Sequence, residues 1–324
     1  MNRGTSRGTA SVNETCEAFM LSRQAYYAAK QRGEEKSSGA AEPPTVDSGG
    51  STIVDPGASS AAVSQAEALD PAFRGQSGIP TPRLLGAIRA VIARSPAWGV
   101  RKVWAYLRHV CGWIVSRRRV WRVMKAHALV LPASAPERRE AAPRGQVAVP
   151  ESNRRWATDL TTQATAREGV VAIVPVIDCG DRVVLAIELT RSQEAPAVLR
   201  PIEAALAAVF GDRHGVPEGL ELRSDHGPQY TGADAEALCR RWGLVHTFAP
   251  VARPTGNAVA ERVIQTLKVE LLWTRDWESI AELEAAIREW VDRYNNERPH
   301  QALGWHTPAQ QRALNLNPPL DRAA

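Results

Sequence analysis

The sequence has few features of a secreted or membrane protein. Its 324 residues include only four cysteines, which are far apart and form no Cys-x-x-Cys pair, so neither a zinc site nor a disulfide framework is expected. The longest apolar run, GVVAIVPVIDCG, is broken by Pro175 and is too short to span a bilayer. The first residues lack the apolar segment of a signal peptide. We therefore expect a cytoplasmic protein without a membrane partner.

Positive charge is concentrated in one part of the chain. The net charge is +5, but residues 76–150 contain 14 Lys and Arg against 2 Asp and Glu, a local net of +12 that leaves −7 for the remainder. A basic block beside a mildly acidic remainder is typical of a protein with one domain that binds a polyanion.

Composition and hydrophobic periodicity divide the chain into six segments. In chain order they are a short helical segment at 1–32, a flexible Gly/Ser/Ala/Pro-rich linker at 33–75, a basic helical domain at 76–130, a second linker at 131–152, an α/β domain at 153–310 and a tail at 311–324. The basic charge thus falls on the helical domain.

The last helix predicted in the basic domain, SRRRVWRVMKAHAL, begins at the N-cap Ser116. Val120, Val123 and Met124 recur at helical spacing and are expected to pack inward. The candidate DNA contacts are the basic residues of this helix, Arg117, Arg118, Arg119, Arg122 and Lys125. The planar guanidinium suits phosphate oxygens and guanine edges, so the pattern favours a helix-turn-helix-like DNA-binding unit. The alternative is a solvated basic helix face.

The α/β region predicts the element order β-β-β-α-β-α-β-α. Asp159 lies on the first strand, in RRWATDLTT, and Asp225 ends the fourth, in LELRSD. Glu261 lies in the first turn of the helix after the fifth strand. If the first and fourth strands are neighbours, the two aspartates lie side by side and the glutamate completes a group of three.

Three carboxylates at one point repel each other, and divalent cations relieve that repulsion. Mg²⁺ is a hard ion that few carboxylates hold while substrate phosphates fill other positions, and Mn²⁺ is the expected substitute. Two ions about 3.5–4 Å apart would activate the attacking oxygen and stabilise the leaving one. The pattern therefore predicts a two-ion site for phosphodiester chemistry.

The motifs WATDLT, SDHGPQYTG and GNAVAERVIQTLKVEL resemble the transposases of the insertion-sequence-three family, which share the DDE integrase catalytic core with retroviral integrases. Thirty-five residues separate Asp225 from Glu261, the gap characteristic of the family, and Lys268 follows Glu261 by seven residues. The closing segment RYNNERPHQALGWHTPAQ and the basic helices also match, so the resemblance covers most of residues 80–310 in order. Departures are Gly256, where the family often has Asp, and Arg262, where it often has Ser.

The resemblance implies an α/β fold, a ribonuclease-H-like integrase core with a five-stranded mixed sheet flanked by helices, after small all-α helix-turn-helix-like segments. It implies a DDE transposase that cleaves DNA at insertion-sequence ends and transfers the strand. Asp159 is then expected to bridge both metal ions, with Asp225 holding one and Glu261 the other. A silent repressor-like derivative and a metal-dependent nuclease of the same fold are the alternatives.

The implied partners are DNA, as the terminal inverted repeats and the target, and a polypeptide from an upstream reading frame, often as a frameshift fusion. The chain shows no leucine-zipper heptad run, which is consistent with a catalytic half. A homo-multimer on DNA, associated with the nucleoid, is expected.

Three more residues are candidate DNA contacts, namely Lys268, Asn257 and His226. Capping of the Glu261 helix is the favoured alternative for Asn257, and a local turn is an equal alternative for His226. Asp178, at a strand end, is expected to form a turn. The residues left open between DNA contact and core packing are Tyr230, Arg298 and His300.

Overall fold

The computed structural model describes residues 51–53, 71–132, 149–249 and 257–317, which all belong to one compact unit. The helical segment predicted for 1–32 lies outside the described residues. No helix within the described ranges is long and apolar enough to cross a membrane.

Residues 71–132 form a three-helix domain. Its helices are α1 (Thr81–Arg94), α2 (Val100–Ala105), which runs into a π-helical turn at Tyr106–Val110, and α3 (Arg117–Ala126). The three helices share one apolar cluster, to which α3 contributes Val120, Val123 and Met124 as predicted. The Ser116 hydroxyl accepts a hydrogen bond from the Arg119 N–H, which confirms Ser116 as the N-cap.

The remaining described residues form a core domain around one mixed sheet. Its strands are β1 (Ser51–Ile53), β2 (Arg155–Thr158), β3 (Thr161–Thr165), β4 (Gly169–Asp178), β5 (Val184–Thr190), β6 (Glu221–Ser224) and β7 (Val245–Phe248). The strand order is β1-β5-β4-β2-β6-β7, and β3 also pairs with β4. Strands β2, β6 and β7 are parallel to one another, while the pairs that involve β3, β4 and β5 are antiparallel.

The sheet has seven strands rather than the five expected, and one cause is a break at Asp159. Thr158 pairs with Val176 and Thr161 pairs with Ile173, so the register continues across the break and Asp159 lies opposite Pro175. Proline has no N–H to donate to the ladder. Asp159 therefore follows β2 directly, where the prediction placed it within the strand.

The other additional strand, β1, lies inside the segment predicted as a flexible linker at 33–75. It pairs antiparallel with β5. An edge strand presents unpaired N–H and C=O groups that a neighbouring extended segment can satisfy, a tertiary interaction that composition does not reveal.

Helices cover both faces of the sheet. They are α4 (Ala195–Phe210), α5 (Pro228–Thr231), α6 (Ala233–Trp242), α7 (Ala258–Glu270), α8 (Ile280–Asn296) and α9 (Pro308–Leu316). Helices α7 and α8 pack on one face with Val171 and Ile173, whereas α4 and α6 pack on the other with Val174 and Val176. Burial on both faces explains why β4 is a continuous apolar run.

Helix α9 extends the core domain past the boundary expected at residue 310. Arg312 Nη1 donates to Asp178 Oδ2 at 3.2 Å and to Asp181 Oδ2 at 2.8 Å, and all three side chains are buried. Asp178 Oδ1 also accepts the Gly180 N–H at 2.8 Å, which confirms its role in the turn. Residues 311–316 are therefore part of the domain.

We expect Arg312→Met to lower the free energy of unfolding by about 3 kcal/mol, because it leaves two carboxylates buried without their cation. Urea denaturation measures this loss. Arg288→Met is the matched control, since Arg288 forms an exposed i,i+4 pair with Glu284 and its loss should cost about 0.5 kcal/mol or less. Equal effects of the two substitutions would contradict a stabilising role for the buried cluster.

Candidate active site

The parallel pairing of β2 with β6 brings two aspartates to one edge of the sheet. Trp156 pairs with Leu222 and Ala157 with Arg223, so the same register places Asp159 level with Asp225 just beyond the strand ends. Neighbouring strands lie about 4.8 Å apart. The carboxyl ends of adjacent parallel strands are where α/β sheets commonly bind ligands.

Helix α7 brings Glu261 to the same edge. The Asn257 side chain donates from Nδ2 to the Thr158 carbonyl oxygen at 2.9 Å, which ties the start of α7 to the end of β2. Glu261 follows one helical turn later, in the first turn, and is exposed. The apolar face of α7, which includes Ala260 and Val263, packs on the sheet below.

The expectations for Asn257 need correction. It occupies the N-cap position, but its side chain makes no capping hydrogen bond to the helix. It is only 5% exposed and its amide is engaged by Thr158, so it is not available to DNA. A residue at a helix start has the sequence signature of a cap, and only the neighbouring strand reveals the bond that it makes instead.

The electrostatics of Asp159 show that the three carboxylates interact. Burial, with Asp225 and Glu261 nearby, raises the pKa of Asp159 to about 6. Two groups oppose this shift, namely the Leu160 N–H, which donates to Asp159 Oδ1 at 2.8 Å, and the Lys268 ammonium. Lys268 therefore lies close enough to act on the site.

The backbone register aligns Asp159 with Asp225, but the carboxylate side chains are not drawn together. No three His, Cys, Asp or Glu side chains in the described ranges form a group that could hold a metal ion. Asp225 Oδ1 accepts the Gly227 N–H at 3.0 Å, and a Cβ at Gly227 would lie 3.0 Å from that oxygen and 2.7 Å from Gln229 Oε1. The glycine thus lets Asp225 close this turn. In chemistry the set fits a hard divalent cation, because all three donors are carboxylate oxygens.

Aromatic rings lie beside Asp225. The His226 ring stacks on Phe248 with centroids 5.0 Å apart, and the His246 ring lies on Phe248 at 4.3 Å. His246 Nε2 is 3.1 Å from the Ser224 hydroxyl. His226 is exposed, as a DNA contact requires. Sequence analysis missed Phe248, because the parallel neighbour β7 brings it to the site.

The basic helix α3 presents most of its predicted contacts to solvent. Arg117, Arg118, Arg122 and Lys125 are exposed. Arg119 differs, because its guanidinium donates to the Ile79 carbonyl oxygen and the side chain is half-buried. Arg119 therefore joins α3 to the start of α1.

Sequence analysis missed Trp121, which lies on the same basic face of α3. Its side chain is 41% exposed, and the Lys125 Nζ lies 5.1 Å from its ring centroid. The signal that could have identified Trp121 is a tryptophan among basic residues. Recognising it requires knowing which face of α3 is buried.

Of the three residues left open, Tyr230 and Arg298 are buried and His300 is half-buried. Tyr230 is buried beneath the site, and burial raises its pKa. The Arg298 guanidinium is ion-paired with Glu270. Burial next to Arg298 holds the pKa of His300 well below its usual value. Tyr230 therefore supports the carboxylate edge from below, whereas Arg298 and His300 lie just after the end of α8.

Comparison with protein families divides the chain in the same way as the structure. A model described as an integrase core domain matches residues 149–254, and a second model with that description matches residues 243–308. A model described as an HTH-like domain matches residues 82–135. The integrase core has a ribonuclease-H-like fold, with helices on a mixed sheet.

The chain is also similar to individual proteins. The chain is 32% identical over 246 residues to transposase InsD for insertion element IS2A/D/F/H/I/K of Escherichia coli, covering 70% of this chain and 78% of that protein. The catalytic core domain of BIV integrase aligns with 49% of this chain and 92% of its own, at 25% identity and a TM-score of 0.38. A simian T-cell lymphotropic virus intasome aligns with 73% of this chain and 78% of its own, at 17% identity and a TM-score of 0.43.

An HTH-like domain, an integrase core and close identity to a transposase over most of both chains occur here together. The chain therefore belongs to the insertion-sequence-three family of DDE transposases.

Proposed function

We propose that Asp159, Asp225 and Glu261 are the catalytic carboxylates with which this transposase cleaves DNA and transfers the strand. The observation that carries this proposal is the β2–β6 register, which sets the two aspartates level at one edge. The Asn257–Thr158 hydrogen bond supports it, because that bond fixes the helix of Glu261 to the same edge.

The integrase core domain family uses divalent metal ions. We infer that Asp159, Asp225 and Glu261 would hold Mg²⁺, or Mn²⁺ in its place, and that two ions are used. When bound, such ions supply a Lewis acid to the attacking and leaving oxygens of a phosphodiester. Asp159 would act with both other carboxylates in holding the ions, since the strand that it follows pairs with that of Asp225 and is bonded to the start of the Glu261 helix.

The reaction has two phosphodiester steps at one site. Water attacks the phosphodiester at the element end and frees a 3′-hydroxyl, which then attacks a second phosphodiester in line. The attacking oxygen comes from water or DNA in both steps, so neither serine nor tyrosine is needed as a nucleophile. The half-buried ammonium of Lys268 is suited to hold a DNA phosphate near the cut, and His226 to contact the neighbouring nucleotide.

The HTH-like domain implies DNA binding. We infer that α3 contacts the terminal inverted repeats through Arg117, Arg118, Arg122 and Lys125, while the core domain engages the cut end and the target. An upstream-frame polypeptide, a homo-multimer on the DNA and a location at the nucleoid of the cytoplasm complete the proposal.

We expect Glu261→Gln to abolish strand joining, by at least about 10³-fold, while leaving DNA binding within about threefold of wild type. The measurement is joining of labelled element-end DNA with Mg²⁺ and any upstream-frame partner. Glu236→Gln is the matched control, because Glu236 is also an exposed glutamate in the first turn of a helix, α6. An active Glu261→Gln variant would refute the triad.

The same assay separates the alternatives. Cleaved but never joined products from wild type would favour a metal-dependent nuclease. Tight end binding without any cleavage, with the partner present, would favour a repressor-like derivative and direct attention to Gly256 and Arg262.

The raised pKa of Asp159 predicts a gain in stability for an inactive variant. Because the fold favours the protonated acid, the cost of ionising Asp159 is absent well below its usual pKa and reaches its full size above about pH 6. Asp159→Asn should therefore raise the free energy of unfolding by about 1–2 kcal/mol near pH 8 and leave it nearly unchanged near pH 4.

Urea denaturation in the presence of a chelator measures this difference at both pH values. Glu236→Gln serves again as the control, because Glu236 is an exposed carboxylate and its substitution removes the same charge. An Asp159→Asn variant that is less stable than wild type near pH 8 would contradict the predicted cost of ionising the buried Asp159 carboxyl.

We expect some arginines of α3 to contribute to DNA binding and Arg119 to contribute to stability. Arg118→Ala and Arg122→Ala should each reduce the slope of log affinity against log salt concentration by about 1, because each removes a phosphate contact. Arg119→Ala should instead lower the free energy of unfolding by about 1–2 kcal/mol, because it removes the bond to the Ile79 carbonyl. Fluorescence anisotropy over a salt series and urea denaturation measure the two effects, and equal slopes for all three variants would contradict the assignment.

A further inference from the structure

Two clusters of charged side chains join the three-helix domain to the core domain. In the first, Lys102 Nζ of α2 donates to Glu270 Oε1 at 2.8 Å, and Arg298 Nε donates to both Glu270 carboxylate oxygens at 3.1 and 3.2 Å. In the second, Arg94 at the end of α1 is ion-paired with Glu297. The domains are therefore held together by specific bonds in addition to packing.

These ion pairs are largely removed from solvent. The side chains of Glu270, Arg298 and Glu297 are 11%, 10% and 8% exposed. Burial raises the pKa of Glu270, but the charges of Arg298 and Lys102 outweigh it and hold the pKa below its usual value. Removing one partner from such a cluster leaves an uncompensated buried charge, so the geometry of the cluster resists change.

The first cluster lies on the helix that carries Glu261. Glu270 is the last residue of α7, nine residues after Glu261, so the two side chains are separated by about 13 Å along one helix. The start of this helix is tied to β2 through Asn257, and its end is tied to the three-helix domain through Lys102. One rigid element thus connects the carboxylate edge with the domain that carries α3.

The closing motif RYNNERPHQALGWHTPAQ supplies the other members of both clusters. Glu297 and Arg298 follow α8 directly, and Arg293 Nη1, near the end of α8, donates to the Arg94 carbonyl oxygen at 2.9 Å. Arg298 Nη1 also lies 3.3 Å from His300 Nε2. With its guanidinium engaged in this way, Arg298 is committed to the domain junction and not to DNA.

We propose that Lys102, Glu270 and Arg298 are positioning residues for strand transfer, which fix the DNA-binding domain to the end of the Glu261 helix. DNA held by α3 is then presented to the carboxylates in one geometry. This inference rests on the proposed catalytic triad and on DNA binding by α3. Its physical basis is that a misplacement of about 1 Å between reacting groups costs about 10²-fold in rate.

The test compares three variants of the full chain, with any upstream-frame partner and Mg²⁺. Lys102→Met removes the cation that the three-helix domain supplies to Glu270 and leaves Arg298 in place, whereas Lys102→Arg keeps a cation at that position. Arg101→Met is the matched control, because Arg101 is the exposed neighbour in α2 and its loss removes the same charge from the DNA-binding domain. Binding of element-end DNA, the single-turnover cleavage and joining rates at saturating DNA, and the melting temperature are measured for each.

We expect Lys102→Met to bind DNA within about threefold of wild type but to cleave and join about 10- to 100-fold more slowly at saturating DNA. Lys102→Arg should restore most of the rate, and Arg101→Met should lose only affinity. The proposal would be overturned if Lys102→Met cleaved and joined at the wild-type rate. It would also be overturned if a higher DNA concentration restored that rate, or if Arg101→Met lost as much rate as Lys102→Met.

A folding defect is distinguished by a second variant. If Lys102→Met melts more than about 5 °C below wild type, Glu270→Gln decides, since it keeps the size of the side chain and removes only its charge. The proposal then predicts the same loss of rate with DNA binding retained, and a wild-type rate overturns it. Failure of wild type to join DNA would refute the proposed strand transfer, and an active Glu261→Gln variant would refute the triad; both results are separate from these outcomes.

Discussion

The parallel pairing of β2 with β6 is the constraint on which the rest of the site depends. It places Asp159 and Asp225 level although 65 residues separate them in the chain, and a shift of one residue would turn the neighbouring side chains to the opposite face. Trp156 and Ala157 of β2 are buried in the apolar clusters on opposite faces of the sheet, and Leu222 of β6 is buried as well, so such a shift would also bring polar groups into these clusters. The packing of the sheet therefore fixes the register that aligns the two proposed catalytic aspartates.

At the same edge, the carboxylates that are proposed to act in catalysis destabilise the fold. Asp159 is partly buried close to two other carboxylates, and its pKa is raised to about 6, so its ionised form is unfavourable in the fold. Elsewhere in the core domain a buried carboxylate pair is compensated, because Arg312 bridges Asp178 and Asp181. The compensated pair is structural, whereas Asp159 and Asp225 are proposed to hold a cation.

Helix α7 connects the parts of the molecule. Its start is bonded to the end of β2 through Asn257, Glu261 extends from its first turn, and its last residue, Glu270, receives Lys102 from the three-helix domain. Because an α-helix transmits displacement along its axis with little deformation, movement of the three-helix domain would be felt at Glu261. The closing motif belongs to this junction, which gives its charged residues a role that does not involve contact with DNA.

The sequence by itself determined the family and the basic helical domain and predicted the three carboxylates, because these depend on residue types and on spacing along the chain. It also predicted the β4 strand and the Ser116 cap, which depend on local preferences. The tertiary structure alone decided the break at Asp159, since Pro175 lies on another strand. It likewise decided the roles of Arg119, Asn257 and Arg298. The sequence does not show whether an arginine or asparagine is exposed or buried, and only long-range contacts distinguish a group that faces DNA from one that holds the protein together.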